Sequence, residues 1–147
     1  FCVACGETTP KGILRRRAAT LRRCGLSDRK VEYIRDLAAH FVSGKVNPAR
    51  FGVQDDEEII AELVDIRGIG RWTAEMFLIF NLLRPNVLPV DDLGLLKAVS
   101  VNYLDGASVA GREGRARVVQ MAELWTPWRS VATWYLWRSL DPIPVTY

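Results

Sequence analysis

Histidine is nearly absent from this chain: His40 is the only one among 147 residues. It sits on an amphipathic segment and reads as a surface or hydrogen-bonded residue, so no general acid is evident. Cysteine is scarce too, at positions 2, 5 and 24. Cys2-x-x-Cys5 has the spacing of a metal half-site, but no second pair or histidine cluster completes it. A four-cysteine iron–sulfur centre is excluded, and free thiols in a reducing compartment are expected. No apolar run reaches about 18 residues and no signal peptide is visible. A soluble, monomeric, cytoplasmic protein without membrane contact is expected, nucleoid-associated if the source is bacterial. Strand-like alternation is scarce.

What is present is helical periodicity and arginine. Hydrophobic residues make up 49% of the chain, enough for a packed core, so disorder is excluded. The net charge of +3 is a weak argument for nucleic acid by itself. Its clustering says more: Arg15, Arg16 and Arg17 form a run, Arg22 and Arg23 follow, and Arg67 and Arg71 flank a glycine turn. One all-α, compact multi-helix domain over residues 1–147 is predicted. Phe1 to Cys5 reads as the end of a helix whose start is missing, so N-terminal helices of a longer protein are expected to precede it.

Thr9 and Pro10 open a predicted helix over 10–23. Ser27 caps a second over 28–43, with Gly44 as its stop. Residues 45–54 read as a loop. Helices over 55–65 and 71–83 enclose the turn and form a hairpin unit, with Ile59, Ile60, Leu63 and Val64 inward. Pro85 and Pro89 bracket a connector, and Asp91 or Asp92 caps a helix reaching about residue 104. A loop over 106–114, a helix over 115–125 stopped by Pro127, and a last helix over 128–140 complete the prediction.

The most telling stretch is Ile66-Arg67-Gly68-Ile69-Gly70-Arg71-Trp72-Thr73-Ala74. Gly68 and Gly70 make φ > 0 accessible in the turn. Its amides then sit beside the positive end of the next helix, which makes an anion site. Gly68, Ile69, Gly70, Arg67, Arg71 and Thr73 are the candidate phosphate-binding residues. Asp91 follows Gly70 by 21 positions, in Leu88-Pro89-Val90-Asp91-Asp92. A phosphate-gripping hairpin followed by a fixed carboxylate suggests chemistry on a nucleic acid. At an offset of 43, Cys24 to Glu32 echoes Arg67 to Glu75 as a second helix–turn–helix. Only the later copy has both glycines.

Ile66 to Glu75, Leu88 to Asp92 and Trp125-Thr126-Pro127-Trp128-Arg129-Ser130 together resemble the helix-hairpin-helix DNA glycosylases, in particular the 3-methyladenine DNA glycosylase II branch. The resemblance runs from about Leu21 to the end of the chain. It implies double-stranded DNA with damaged bases as partner and Asp91 as catalytic residue. It implies a base pocket formed by Trp72 and Trp137, with Met76 where some relatives have a third aromatic. It also implies a monovalent cation, Na or K, on the carbonyls of Val64, Ile66 and Ile69, and no required cofactor. Bifunctional relatives carry a nucleophilic lysine where this chain has Trp72, so a monofunctional enzyme is expected.

The residues suit that chemistry. N-glycosidic cleavage builds positive charge on the sugar, and a carboxylate beside C1′ stabilises it and orients water. The target base must leave the helical stack. An indole face attracts a cationic alkylated purine. Asp92 competes with Asp91, and either can be the helix cap. Trp125, Trp128 and Trp134 read as core or cleft wall. Two alternatives remain at this stage: a helix-hairpin-helix module that binds DNA without chemistry, and an inactive fragment.

Overall fold

The computed structural model describes residues 8–141, so Cys2 and Cys5 and the residues after Asp141 lie outside it. Among the described residues there are helices and turns and no strand. The chain divides into two compact units, one running to Ala74 and the other starting at Glu75.

Among the described residues the first unit's helices start with α1 (Pro10–Arg15), capped by Thr9 Oγ1, which accepts the Gly12 N–H at 3.1 Å. The predicted helix over 10–23 is broken: Arg16 and Arg17 are extended, and α2 (Ala18–Arg23) starts afresh. Arg35 Nη1 donates to the exposed Arg16 carbonyl at 2.6 Å, satisfying a group the break leaves open. The break lets Ile13 and Leu21 both reach a small core with Leu26, Val31 and Ile34. Helix α3 (Asp28–Ser43) is capped by Ser27 Oγ and ends at Gly44 in the left-handed region, as predicted. The 45–54 segment contains a short 3-10 turn, Pro48–Arg50.

Helix α4 (Asp56–Val64) starts in a capping box, with Asp55 and Glu58 each accepting the other's backbone N–H. Ile59, Ile60 and Leu63 are buried as expected, but Val64 is not. It lies at the last turn, where the chain already leaves the core face. Helix α5 (Arg71–Phe80) is shorter than the predicted 71–83. The Leu82 and Arg84 N–H groups fold back onto the Phe77 and Leu78 carbonyls. That reversal puts exposed Leu83 at φ 54°.

In the second unit, α6 (Leu93–Tyr103), α7 (Gly111–Ala122) and α8 (Arg129–Ser139) share a core of Leu95, Leu96, Ala98, Val99, Val109, Val118 and Leu136. Helix α7 begins four residues before the expected 115, inside the stretch predicted as loop. Burial of Val118 and Ala122 outweighs the weak helix propensity of Gly111 and Gly114. Residues 123–125 finish it as a 3-10 turn.

Candidate functional site

The hairpin turn between α4 and α5 is fixed from below by α3. Gly68 has φ 87°, and a Cβ there would run into the Tyr33 ring. Two independent constraints therefore demand glycine at this position. A Cβ on Gly70 would meet nothing within 4 Å. The protein's own packing gives no reason for glycine there. The aligned turn between α2 and α3 has the same geometry: Gly25, the residue matching Gly68, has φ 86°.

Polar bonds tie the turn down. Asp36 Oδ2 accepts the Arg67 N–H at 2.8 Å. Asp65 Oδ2 receives Lys45 Nζ at 2.9 Å and lies 3.1 Å from His40 Nε2. His40 Nδ1 lies 2.9 Å from the Asp36 carbonyl. Both imidazole nitrogens thus face acceptors, an arrangement satisfied fully only by the protonated ring. The bond to the Asp36 carbonyl and the Asp65 carboxylate raise the His40 pKa, against the opposing effect of burial. Lys45 and then His40 hold the Asp65 carboxyl below its ordinary value.

The two arginines expected to meet phosphate both have carboxylate partners. Arg67 pairs with Glu32. Arg71 grips Glu57 through both terminal nitrogens, at 2.9 and 2.5 Å, and lowers the Glu57 pKa. These pairs are exposed, where an ion pair contributes only about 0–1 kcal/mol. Thr73 is exposed on the first turn of α5, and Ile69 is half-buried.

Asp91 and Asp92 have different surroundings. Asp91 is the more exposed, and Arg115 Nε donates to its Oδ1 at 2.6 Å. Asp92 caps α6: its Oδ1 accepts the Leu95 N–H at 2.6 Å. The same oxygen accepts Trp137 Nε1–H at 2.7 Å. The Trp137 ring stacks on Phe80 at 5.8 Å and 16°. Gly94 makes this approach possible, since a Cβ there would stand 3.1 Å from both Asp92 Oδ1 and Trp137 Cδ1. Of the expected pocket residues, Trp137 therefore meets Asp92. Gly94 and Arg115 went unrecognised in the sequence; a glycine inside an apolar helix was the available signal.

The remaining motif is explained by support. Ser130 Oγ donates to the Arg84 carbonyl at 2.6 Å and accepts the Val87 N–H at 3.0 Å. The Ser130 N–H donates to the Pro85 carbonyl at 2.9 Å. The connector that leads into Leu88-Pro89 is thus bolted to the start of α8. Arg129 binds the Ala122 carbonyl and Glu123, closing the end of α7.

Trp72 is 48% exposed, so it is not core filling. The 72, 76, 80 spacing puts Trp72, Met76 and Phe80 on one face of α5. Trp125 packs on the second unit's core. Trp128 and Trp134 line an open cleft of about 540 Å³ with Phe80 and Tyr135. Among the described residues no three His, Cys, Asp or Glu side chains gather as a metal site, and no helix is long and apolar enough to cross a membrane.

A glycine-turned hairpin between helices, followed by a proline-led acidic pair at a helix start, defines a helix-hairpin-helix protein. The chain belongs to the HhH-GPD superfamily of base excision DNA repair proteins, whose family model matches residues 1–127. It is 35% identical to DNA-3-methyladenine glycosylase 1 of Schizosaccharomyces pombe, over 89% of this chain and 56% of that protein. It is 33% identical to the DNA-3-methyladenine glycosylase of Saccharomyces cerevisiae, over 83% and 50%. The structure of a Bacillus halodurans DNA-3-methyladenine glycosidase superposes with a TM-score of 0.85 at 33% identity, covering 96% of this chain and 64% of that one. A Schizosaccharomyces pombe 3-methyladenine DNA glycosylase in complex with abasic DNA gives 0.76 at 32% identity, covering 93% and 66%. The chain spans about half the length of the curated relatives it matches.

Proposed function

We propose that this chain is the hairpin-bearing part of a monofunctional DNA glycosylase. It excises alkylated purines of the 3-methyladenine type from duplex DNA by hydrolysing the N-glycosidic bond. The observation that carries the reading is the Asp92–Trp137 pair at the start of α6, 2.7 Å apart. This bond and the α6 cap fix the turn that carries the acidic pair. The helix dipole favours negative charge there. An anion so placed stabilises the oxocarbenium-like sugar and orients the attacking water.

The catalytic role is proposed for Asp91: Asp92 is committed to the α6 cap and to Trp137, which leaves the more exposed Asp91 carboxylate, paired with Arg115, to face the sugar. The names of the relatives support the substrate class, and the abasic-DNA complex of one of them supports duplex DNA as partner.

Trp72 is the proposed plate for the flipped cationic base, with Met76 and Trp137 as further pocket residues. Gly70 and the neighbouring amides are proposed to take a DNA phosphate, with Gly68, Ile69, Arg67, Arg71 and Thr73 around them. The Val64, Ile66 and Ile69 carbonyls would hold a monovalent cation. The Ile66 oxygen accepts the Ile69 N–H at 3.1 Å and keeps a second lone pair, so the turn fits such an ion. The ion would add positive charge beside the phosphate.

The test is release of free 3-methyladenine from methylated duplex DNA by the wild type, Asp91→Asn and Asp92→Asn. Release by the wild type but not by Asp91→Asn is expected; loss in Asp92→Asn alone would move the role one residue on. No release by the wild type, with DNA binding intact, would instead favour a binding module.

A further inference from the structure

The chain's net charge of +3 hides a strong asymmetry. Residues 8–35 carry nine Lys and Arg against two Asp and Glu; all other residues carry 11 against 15. The 28-residue stretch is thus strongly cationic and the remainder is net acidic. These residues form α1, α2, the first turn and the opening of α3, packed on Ile13, Leu21, Leu26, Val31 and Ile34. Lys11, Arg15, Arg16, Arg17, Arg22, Arg23, Arg29 and Lys30 are all exposed. Arg22 pairs with Asp28, and Glu32 is taken by Arg67. Among the described residues Lys11, Arg15, Arg17, Arg23 and Lys30 have no carboxylate partner.

The hairpin arginines are already neutralised by Glu32 and Glu57, so the free positive charge of the first unit lies on α1–α3. The first turn, at Gly25-Leu26-Ser27, repeats the geometry of Gly68-Ile69-Gly70. The two turns flank one cleft of about 280 Å³, which Leu26 and Ile69 both line beside Lys30 and Arg67.

We propose that this α1–α3 face is a second docking surface for the DNA backbone. It lies beside the glycine hairpin and supplies most of the sequence-independent, salt-sensitive affinity. The hairpin then positions one phosphate, while the α1–α3 cations track the neighbouring ones without reading bases. The proposal rests on the glycosylase reading for its partner, but its readout is separate.

The test is affinity for undamaged duplex DNA measured by fluorescence anisotropy over a range of salt. Each phosphate contact contributes about 0.9 to the slope of log affinity against log salt. Arg15→Gln/Arg17→Gln/Arg23→Gln/Lys30→Gln should lower that slope by about 2–4 and weaken binding at least about tenfold at low salt. Replacing the same three arginines by Lys should keep the slope. Arg112→Gln/Arg117→Gln, a comparison pair on α7, should change it little. An unchanged slope in a quadruple variant with wild-type circular dichroism would overturn the docking face, as would equal loss per charge in the α7 pair. Absence of base release in the wild type, with the slope difference intact, would remove the glycosylase reading and leave the docking face standing.

Discussion

At the level of single residues, two adjacent aspartates divide capping and charge pairing between them, and the proposal gives catalysis to one. Spacing from the hairpin narrowed the choice to Asp91 and Asp92, but one residue of offset decides which faces the tryptophan, and spacing does not carry that. Asp91→Asn keeps the shape while removing the charge. Base release should fall by about 10²-fold or more with DNA binding retained, the usual cost of losing a key electrostatic group. Asp92→Asn should cost less, acting through the cap and the Trp137 contact; the reverse order in single-turnover rates would move the role to Asp92. Trp72 makes a separate prediction. An indole plate gains about 0.5–2 kcal/mol from a cationic base, about a 2- to 30-fold preference. Trp72→Ala should slow release of 3-methyladenine more than release of neutral hypoxanthine, and equal slowing of both would reduce Trp72 to a shape-setting role.

At the level of elements, the hairpin shows what sequence periodicity carries and what it does not. The apolar spacing and the glycines located α3, α4, α5 and the turn, because helix faces and left-handed positions leave local marks. The break at Arg16-Arg17, the reversal after Phe80 and the early start of α7 were not legible, since each is set by distant burial or backbone bonding. The two hairpin glycines should respond differently to mutation. Gly68→Ala meets both the left-handed backbone and the Tyr33 ring, and should destabilise the fold by at least about 1–2 kcal/mol. Gly70→Val should leave the melting temperature nearly unchanged yet weaken binding of damaged and undamaged duplexes alike, because phosphate contacts carry no base information. Unchanged affinity would remove the phosphate site. The tie between α3 and the turn is pH-dependent. With its pKa raised, His40 contributes fully below its unfolded value of about 6.5 and loses that contribution as pH climbs through the higher folded value. Asp65, with its pKa lowered, contributes above its unfolded value and loses it as pH falls through the depressed one. The thermal midpoint of the wild type should therefore fall from slightly acid to alkaline pH more steeply than that of His40→Gln. Parallel curves would show that the imidazolium does not hold the turn.

At the level of the whole molecule, the basic residues are of one kind: 16 arginines and only four lysines, Lys11, Lys30, Lys45 and Lys97. Arginine serves phosphate and carboxylate recognition; a neutral lysine is what a Schiff-base step requires. Lys45 is committed to Asp65. Lys11 and Lys30 belong to the cationic α1–α3 face, where neighbouring charges suit them to phosphate. Lys97 lines a cleft with Arg115, which pairs with Asp91. The position that would carry the nucleophile in a bifunctional relative is Trp72. The chain should accordingly release bases without cutting the sugar–phosphate backbone. Borohydride added to the protein with an abasic-site duplex should trap no covalent protein–DNA species. A trapped adduct would overturn the monofunctional reading, and its loss in Lys97→Met, with base release unaffected, would identify the amine responsible.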